Sequence, residues 1–294
     1  MQVNLAEYIN KNKKIIENHL YRSIEAMKIP KNLKDSMLYS LQAGGKRLRP
    51  ILLFASYESY ADNIEKVLNT ACALEMIHTY SLIHDDLPAM DDDDYRRGKL
   101  TNHKVYGEAT AILAGDALLT HSFELVTNDP LLTDKEKVFI VQLLSRASGA
   151  SGMVAGQILD MEAENKQVSL EKMEEIHRLK TGKLISFAIT AGAYLANTNE
   201  KQVEHLSSFA TYLGLIFQVQ DDILDVTGDP EKLGKPVGSD SGNQKSTYPN
   251  LLGLEGAIDI KNKYVVLAKE ALQKAEVRAN YLEALTEYFT ERDH

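Results

Sequence analysis

Apolar residues recur at helical spacing along almost the whole chain. Leu5, Tyr8, Ile9, Ile15, Ile16, Leu20 and Ile24 share one face of a stretch from Leu5 to Met27, the mark of an amphipathic helix. Pro30 separates it from a second helix running to about Leu41. From Glu65 to Ile83 the repeats are Val67, Ala71, Leu74, Ile77 and Leu82, which predicts a buried helix. Pro88 ends it or bends the chain away. Asn102 to Phe123 reads as one helix rich in small residues, and Thr133 with Glu136 resembles a capping box opening the next. Further helices are expected before Glu164, from Leu170, through Phe209, Tyr212, Leu213 and Ile216, and twice after Asn250. Gly182 is read as an interruption. Thr227 to Asn250, rich in Gly and Pro, reads as loop. No alternating run makes a strand. The pattern predicts an all-α protein, one domain over residues 1–294, in a large helical bundle around a central cavity.

The chain's 294 residues can bury a large core. A net charge of -9 argues against nucleic acid as a partner. A lone cysteine, Cys72, excludes an internal disulfide framework and fits a reducing cytosol. The first residues lack the basic and apolar regions of a signal peptide. Ile185 to Ala196, taken as the most apolar window, is too short to span a bilayer. A cytoplasmic protein without a membrane span is expected.

The chemistry gathers at two helix ends. Asp85, Asp86, Asp91, Asp92, Asp93 and Asp94 follow the first apolar helix, with Arg96 and Arg97 just beyond. A carboxylate at a helix C-terminus faces the negative end of the macrodipole. Mg²⁺, a hard cation that takes carboxylate oxygens, reverses that penalty. About 136 positions later, Gln218, Asp221, Asp222 and Asp225 repeat the arrangement, with Gln218, Asp221 and Asp225 on one face. Elsewhere, Gly44-Gly45-Lys46-Arg47-Leu48-Arg49-Pro50 puts basic side chains beside a helix N-terminus, a setting that binds anions. His78 lies two turns before Asp85, and Gln157 and Asp160 share a helix face. Taken alone, these residues also fit a non-catalytic acidic helical protein that binds Ca²⁺ or a basic partner. They fit a two-metal phosphohydrolase as well.

DDLPAMDDDDYRRG and FQVQDDILD resemble the two aspartate-rich motifs of the trans-isoprenyl diphosphate synthases. GGKRLRP, HTYSLIHDD, KTGKLI, GKPVGSD and KSTYP follow that family's order, and the resemblance is closest to its bacterial farnesyl diphosphate synthase branch. It implies the isoprenoid synthase fold and a homodimer helped by the small-residue helix. It implies head-to-tail condensation of isopentenyl diphosphate with dimethylallyl and geranyl diphosphates to give farnesyl diphosphate. Geranylgeranyl diphosphate synthase is the alternative within the family. The implied cofactor is Mg²⁺, about three ions per site, or Mn²⁺, on Asp85, Asp91 and Asp221, with Asp86 and Asp225 as further candidates. Lys46, Arg49, His78 and Arg97 would bind isopentenyl diphosphate. Arg96, Lys180, Thr181, Gln218 and Lys235 would bind the allylic diphosphate, and Lys245 is a weaker match. Tyr80, with Ser81, would form the floor that stops chain growth, alongside the Pro88-Ala89 insertion. The tail, Thr290 to His294, is less basic than the tail that closes over substrate in many relatives.

Overall fold

The computed structural model describes residues 4–228, 246–278 and 280–292. Helices dominate, as the apolar periodicity predicts. Their order is α1 (Leu5–Glu25), α2 (Lys31–Leu41), α3 (Leu48–Glu58), α4 (Glu65–Asp85), α5 (Asn102–Tyr106), α6 (Glu108–Thr127), α7 (Asp134–Ser148), α8 (Met153–Ala163) and α9 (Leu170–His177). A π-helical turn, Arg178–Gly182, joins α9 to α10 (Lys183–Leu195). Beyond it lie α11 (Glu200–Thr227), α12 (Tyr248–Ala275) and α13 (Tyr281–Glu291). The described chain forms two compact units. One holds residues 6–54 and 63–141; the other holds residues 55–62 and the described chain from 142 onward, with residues 4 and 5.

In the first unit, Ile16, Leu20 and Ile24 of α1 are fully buried. Helix α4 is buried on nearly every side, from Val67 through Ile83, so its sequence shows little one-sidedness. It packs chiefly against α6. The close approach rests on Gly115, where a Cβ would stand 2.2 Å from His84 Nε2. The helix expected over Asn102 to Phe123 is in fact two. Gly107, at φ 81° and ψ 157°, breaks it with a conformation glycine adopts freely. Thr133 and Glu136 do cap α7 reciprocally, by bonds of 2.8 and 3.3 Å.

The expectation of no strand fails at one place. Tyr95–Arg96 (β1) pairs antiparallel with Lys99–Leu100 (β2). The two linking residues, Arg97 (φ 55°) and Gly98 (φ 74°), both take positive φ, as a tight two-residue hairpin requires. Two-residue strands are too short to alternate visibly in sequence.

In the second unit, α11 packs most extensively against α12. Asn199 and Gln202 form a full capping box at its start, a feature that contributes about 1 kcal/mol. Gly182 does not interrupt the chain between α9 and α10; the π turn carries the helix through it. Gly253 (φ 73°) puts a kink inside α12.

Residues Asp134–Ala163 contain an 18-residue window of mean hydropathy 1.3. Among the described residues this stretch is long and apolar enough, by length and composition alone, to cross a membrane. It is divided between α7 and α8 by a turn at residues 149–152.

Candidate active site

In the first unit, α4 ends at Asp85, and Asp86 caps it with helical angles. The following loop then doubles back. The Asp91 N–H donates to the Asp85 carbonyl at 2.9 Å, and the Asp92 N–H to that of Leu87 at 3.1 Å. Two carboxylates six positions apart in sequence thereby sit on backbones tied to each other. Asp85 is half-buried and Asp91 exposed. Asp86 points the other way: it is buried and accepts from Arg96 Nε at 2.5 Å. Burial pushes its carboxyl up to about 6, against the pull of Arg96. Arg96 also reaches Asp93 at 3.3 Å.

Basic groups surround the same loop. Arg49 Nη1 donates to His78 Nε2 at 3.1 Å. Because guanidinium has no lone pair to accept with, Nε2 is the acceptor and the ring proton sits on Nδ1. Burial, then the charges of Arg49, Arg97, Arg47 and Arg96, hold His78 well below its ordinary value. The ring is neutral, and four guanidiniums lie within electrostatic reach of it. Arg97 donates to the Gly44 carbonyl. A Cβ at Gly45 would meet the Arg97 guanidinium at 2.6 Å, so the double glycine gives Arg97 its place. Lys46 stands half-buried in the same loop. A small cavity of about 30 Å³ opens among Tyr39, Thr79, Asp86, Arg96 and Arg97.

Sequence reasoning missed the residue that holds this loop. Arg47 is buried and bonds Glu75 at 2.8 Å and Glu17 at 3.2 Å. Its φ of 52° bends the chain there. Removing one partner of such a buried pair typically costs about 3–5 kcal/mol. The available signal was Glu75, a lone carboxylate among the apolar residues of α4, which demands a buried cation.

Tyr80 is 7% exposed and meets the His84 ring edge-on at a 5.7 Å centroid distance. Burial, then the nearby Asp85 charge, pushes its hydroxyl up to about 12. The side chain is therefore large, buried and close to the aspartate. Ser81 spends its hydroxyl on the His78 carbonyl at 2.9 Å.

In the second unit a cavity of about 450 Å³ is lined by Asp160, Lys180, Thr181, Gln218, Asp221 and Asp225, with Asp222 and His177 beside them. Close backbone contacts shape it. A Cβ at Gly156 of α8 would lie 2.2 Å from the Lys180 nitrogen, and one at Gly214 of α11 would lie 3.1 Å from Gly182 Cα. The π turn, a feature that recurs at functional sites, thus presents Lys180 and Thr181 to the cavity. Lys180 Nζ holds Asp160 at 2.6 Å. Asp160 lines the cavity; Gln157, placed on the same helix face by spacing, is not among the lining residues. Asp222, which also lines the cavity, accepts the Tyr248 backbone N–H at 2.9 Å, fastening the start of α12. Asp221, 43% exposed at its side chain, meets Arg292 Nη2 at 2.6 Å. Lys235 and Lys245 lie outside the described residues.

Among the described residues no three His, Cys, Asp or Glu side chains form a ready cage for a metal. Mg²⁺ does not need one, since it binds through one or two carboxylates together with waters and substrate phosphates. Asp85 with Asp91, and Asp221 with Asp225, are donor sets of that chemistry.

The sequence pattern of the family described as polyprenyl synthetase matches residues 30–287. The chain belongs to the polyprenyl synthetase family. It is a prenyltransferase. The chain is 50% identical over 293 residues to the farnesyl diphosphate synthase of Bacillus subtilis, covering 99% of both chains. It is 44% identical to the geranylgeranyl diphosphate synthase of Cyanophora paradoxa, over 99% of this chain and 97% of the other. A solved FPP/GFPP synthase from Zymomonas mobilis superposes with a TM-score of 0.86 at 35% identity, covering 99% of this chain and all of the other. The helical isoprenoid synthase fold expected from the motifs is therefore the fold found.

Proposed function

We propose that this protein makes farnesyl diphosphate from isopentenyl diphosphate and the allylic diphosphates of five and ten carbons. One observation carries the reading: the Asp85–Asp91 loop, tied by its own backbone, stands in a unit where four guanidiniums gather about a neutral histidine. Carboxylates for metal beside cations for phosphate are what a diphosphate-leaving reaction requires.

In this reading Lys46, Arg49, His78 and Arg97 bind isopentenyl diphosphate. Neutral His78 orients Arg49 and keeps a ring N–H to give. Lys180, Thr181, Gln218 and Lys235 bind the allylic diphosphate, and Arg96 serves it once substrate competes with Asp86. Asp85, Asp91 and Asp221 hold Mg²⁺, with Mn²⁺ able to replace it; Asp86 and Asp225 stand behind them. Bound metal supplies charge neutralisation for the departing diphosphate. The allylic C–O bond breaks with its electron pair leaving on diphosphate. The isopentenyl double bond then forms the new C–C bond, and a proton passes to the departed diphosphate, so no side-chain base is needed. Tyr80, bulky and buried near Asp85, favours a C15 product over C20.

The reading includes a single 1–294 domain acting as a homodimer in the cytoplasm. The exposed Ile112 and Leu113 of α6 support a subunit contact, and the one buried thiol, Cys72, suits a reducing compartment. Incubation with dimethylallyl and isopentenyl diphosphates and Mg²⁺, followed by mass analysis, tests it. A C15 diphosphate is expected. Inorganic phosphate or free alcohol would replace the reading with a phosphohydrolase, and a C20 product with the geranylgeranyl alternative.

A further inference from the structure

The chain's last described residue is fastened to the second aspartate-rich segment by several separate contacts. Arg292 Nη2 pairs with Asp221 Oδ1 at 2.6 Å and donates to the Phe217 carbonyl at 2.8 Å. The guanidinium lies 4.1 Å from the centroid of the Phe217 ring. The Arg292 carbonyl accepts from Gln220 Nε2 at 2.9 Å. Lys261 Nζ then locks the pair by bonding Gln220 Oε1 at 2.8 Å and the Thr290 carbonyl at 3.3 Å. The Arg292 side chain is only 7% exposed. It is a built contact rather than a chance encounter of surface charges.

Its satisfaction is nonetheless incomplete. Arg292 Nε is buried and lacks a hydrogen-bond partner, which weakens the grip. A cation held strongly enough to order the carboxylate, but short of one bond, can be displaced by a doubly charged one.

We propose that Arg292 is a resident counter-ion of Asp221, a positioning residue that orders this carboxylate and competes with the divalent cation for it. This rests on the reading of Asp221 as a metal ligand. Arg292 on Oδ1 and a divalent cation on the same carboxylate draw on one negative charge, so each must lower the other's affinity by the same factor. Loading the second motif with metal then releases the end of α13 from α11.

The test titrates Mn²⁺ into the full-length protein with saturating inorganic diphosphate, following free Mn²⁺ by electron paramagnetic resonance. Asp221→Asn identifies the part of the isotherm that belongs to the second motif. Arg292→Gln, which removes the charge, should tighten that part by about fivefold or more. Arg292→Lys, which restores a cation, should return it toward the wild-type value. An isotherm unmoved by Arg292→Gln, or weakened by it, while Asp221→Asn still removes a site, overturns the competition and leaves the metal reading standing. If Asp221→Asn leaves the isotherm unchanged, the metal reading falls and the counter-ion role with it.

Discussion

The two aspartate-rich segments solve one problem by different routes. Each puts a carboxylate near the end of a buried helix, with the next residue in sequence turned inward: Asp85 before Asp86, Asp221 before Asp222. In the first segment the partners are local. Asp86 takes Arg96, ten positions on, and the Asp85 carbonyl takes the Asp91 N–H. In the second the partners come from far along the chain. Asp222 takes the Tyr248 N–H across 26 positions, and Asp221 takes Arg292 from the end of α13. The two aspartates at the head of the first segment are thus tied within their own loop. The second segment is a helix face completed by two other helices, so its geometry depends on how well α12 and α13 are docked.

The sharpest test of this contrast is removal of the outward carboxylates. Asp85→Ala and Asp221→Ala should each cost about a hundredfold or more in kcat, the loss of roughly 3 kcal/mol typical of one well-placed stabilising group. Circular dichroism should show the helices intact in both. Near-normal turnover with an unchanged Mg²⁺ requirement in either variant would remove that residue from the metal set.

Next come the cations, which should separate by substrate. Arg49→Ala should raise the KM for isopentenyl diphosphate by about tenfold, an effect near 1.4 kcal/mol, and leave the allylic KM close to wild type. Lys180→Ala should do the reverse. Initial-rate kinetics with each substrate varied in turn decides it. A change confined to the allylic KM in Arg49→Ala would exchange the two assignments.

Much of this was legible in the sequence, and the reason is locality. Apolar periodicity marks α1 and α4 because each helix repeats its own spacing. The Thr133–Glu136 cap is visible because both partners lie within one turn. Asp85, Asp91, Arg96 and Arg97 fall in one short run. What sequence reading missed joins distant residues or needs a backbone angle. Arg47 finds Glu75 across 28 positions. Gly107 splits a helix through a φ that spacing does not reveal. The π turn at Arg178–Gly182 keeps helical periodicity nearly unbroken while shifting the side chains that follow. Arg292 was read as part of a weakly basic tail, and only the fold brings it to Asp221.

Asp222→Ala probes the dependence of the second segment on its neighbours. It leaves the Tyr248 N–H buried without its acceptor, which should cost about 1–3 kcal/mol of folding stability. Asp222→Asn, which keeps an acceptor oxygen, should cost less. Urea unfolding measures both. Equal stability of Asp222→Ala and wild type would mean that the first turn of α12 does not rely on this bond.

The smallest expected effect on rate carries the most information about product. Five positions before each outward aspartate stand Tyr80 and Ile216, both buried. Tyr80 alone combines aromatic bulk with a hydroxyl that feels the Asp85 charge. Under the proposed reading, a prenyl chain growing away from the first segment would meet the buried phenol ring of Tyr80. Tyr80→Ala should keep kcat for the first condensation within about threefold, an effect below 1 kcal/mol, while products shift from C15 toward C20 and longer. Its stability should fall by about 3–5 kcal/mol, the usual loss when a buried aromatic is truncated, so folding must be checked before products are compared. Tyr80→Phe removes only the hydroxyl and should leave the C15 product unchanged, separating bulk from polarity. If a folded Tyr80→Ala still stops at C15, the limiting wall is not Tyr80, and the contrast between the two segments has no part in setting chain length.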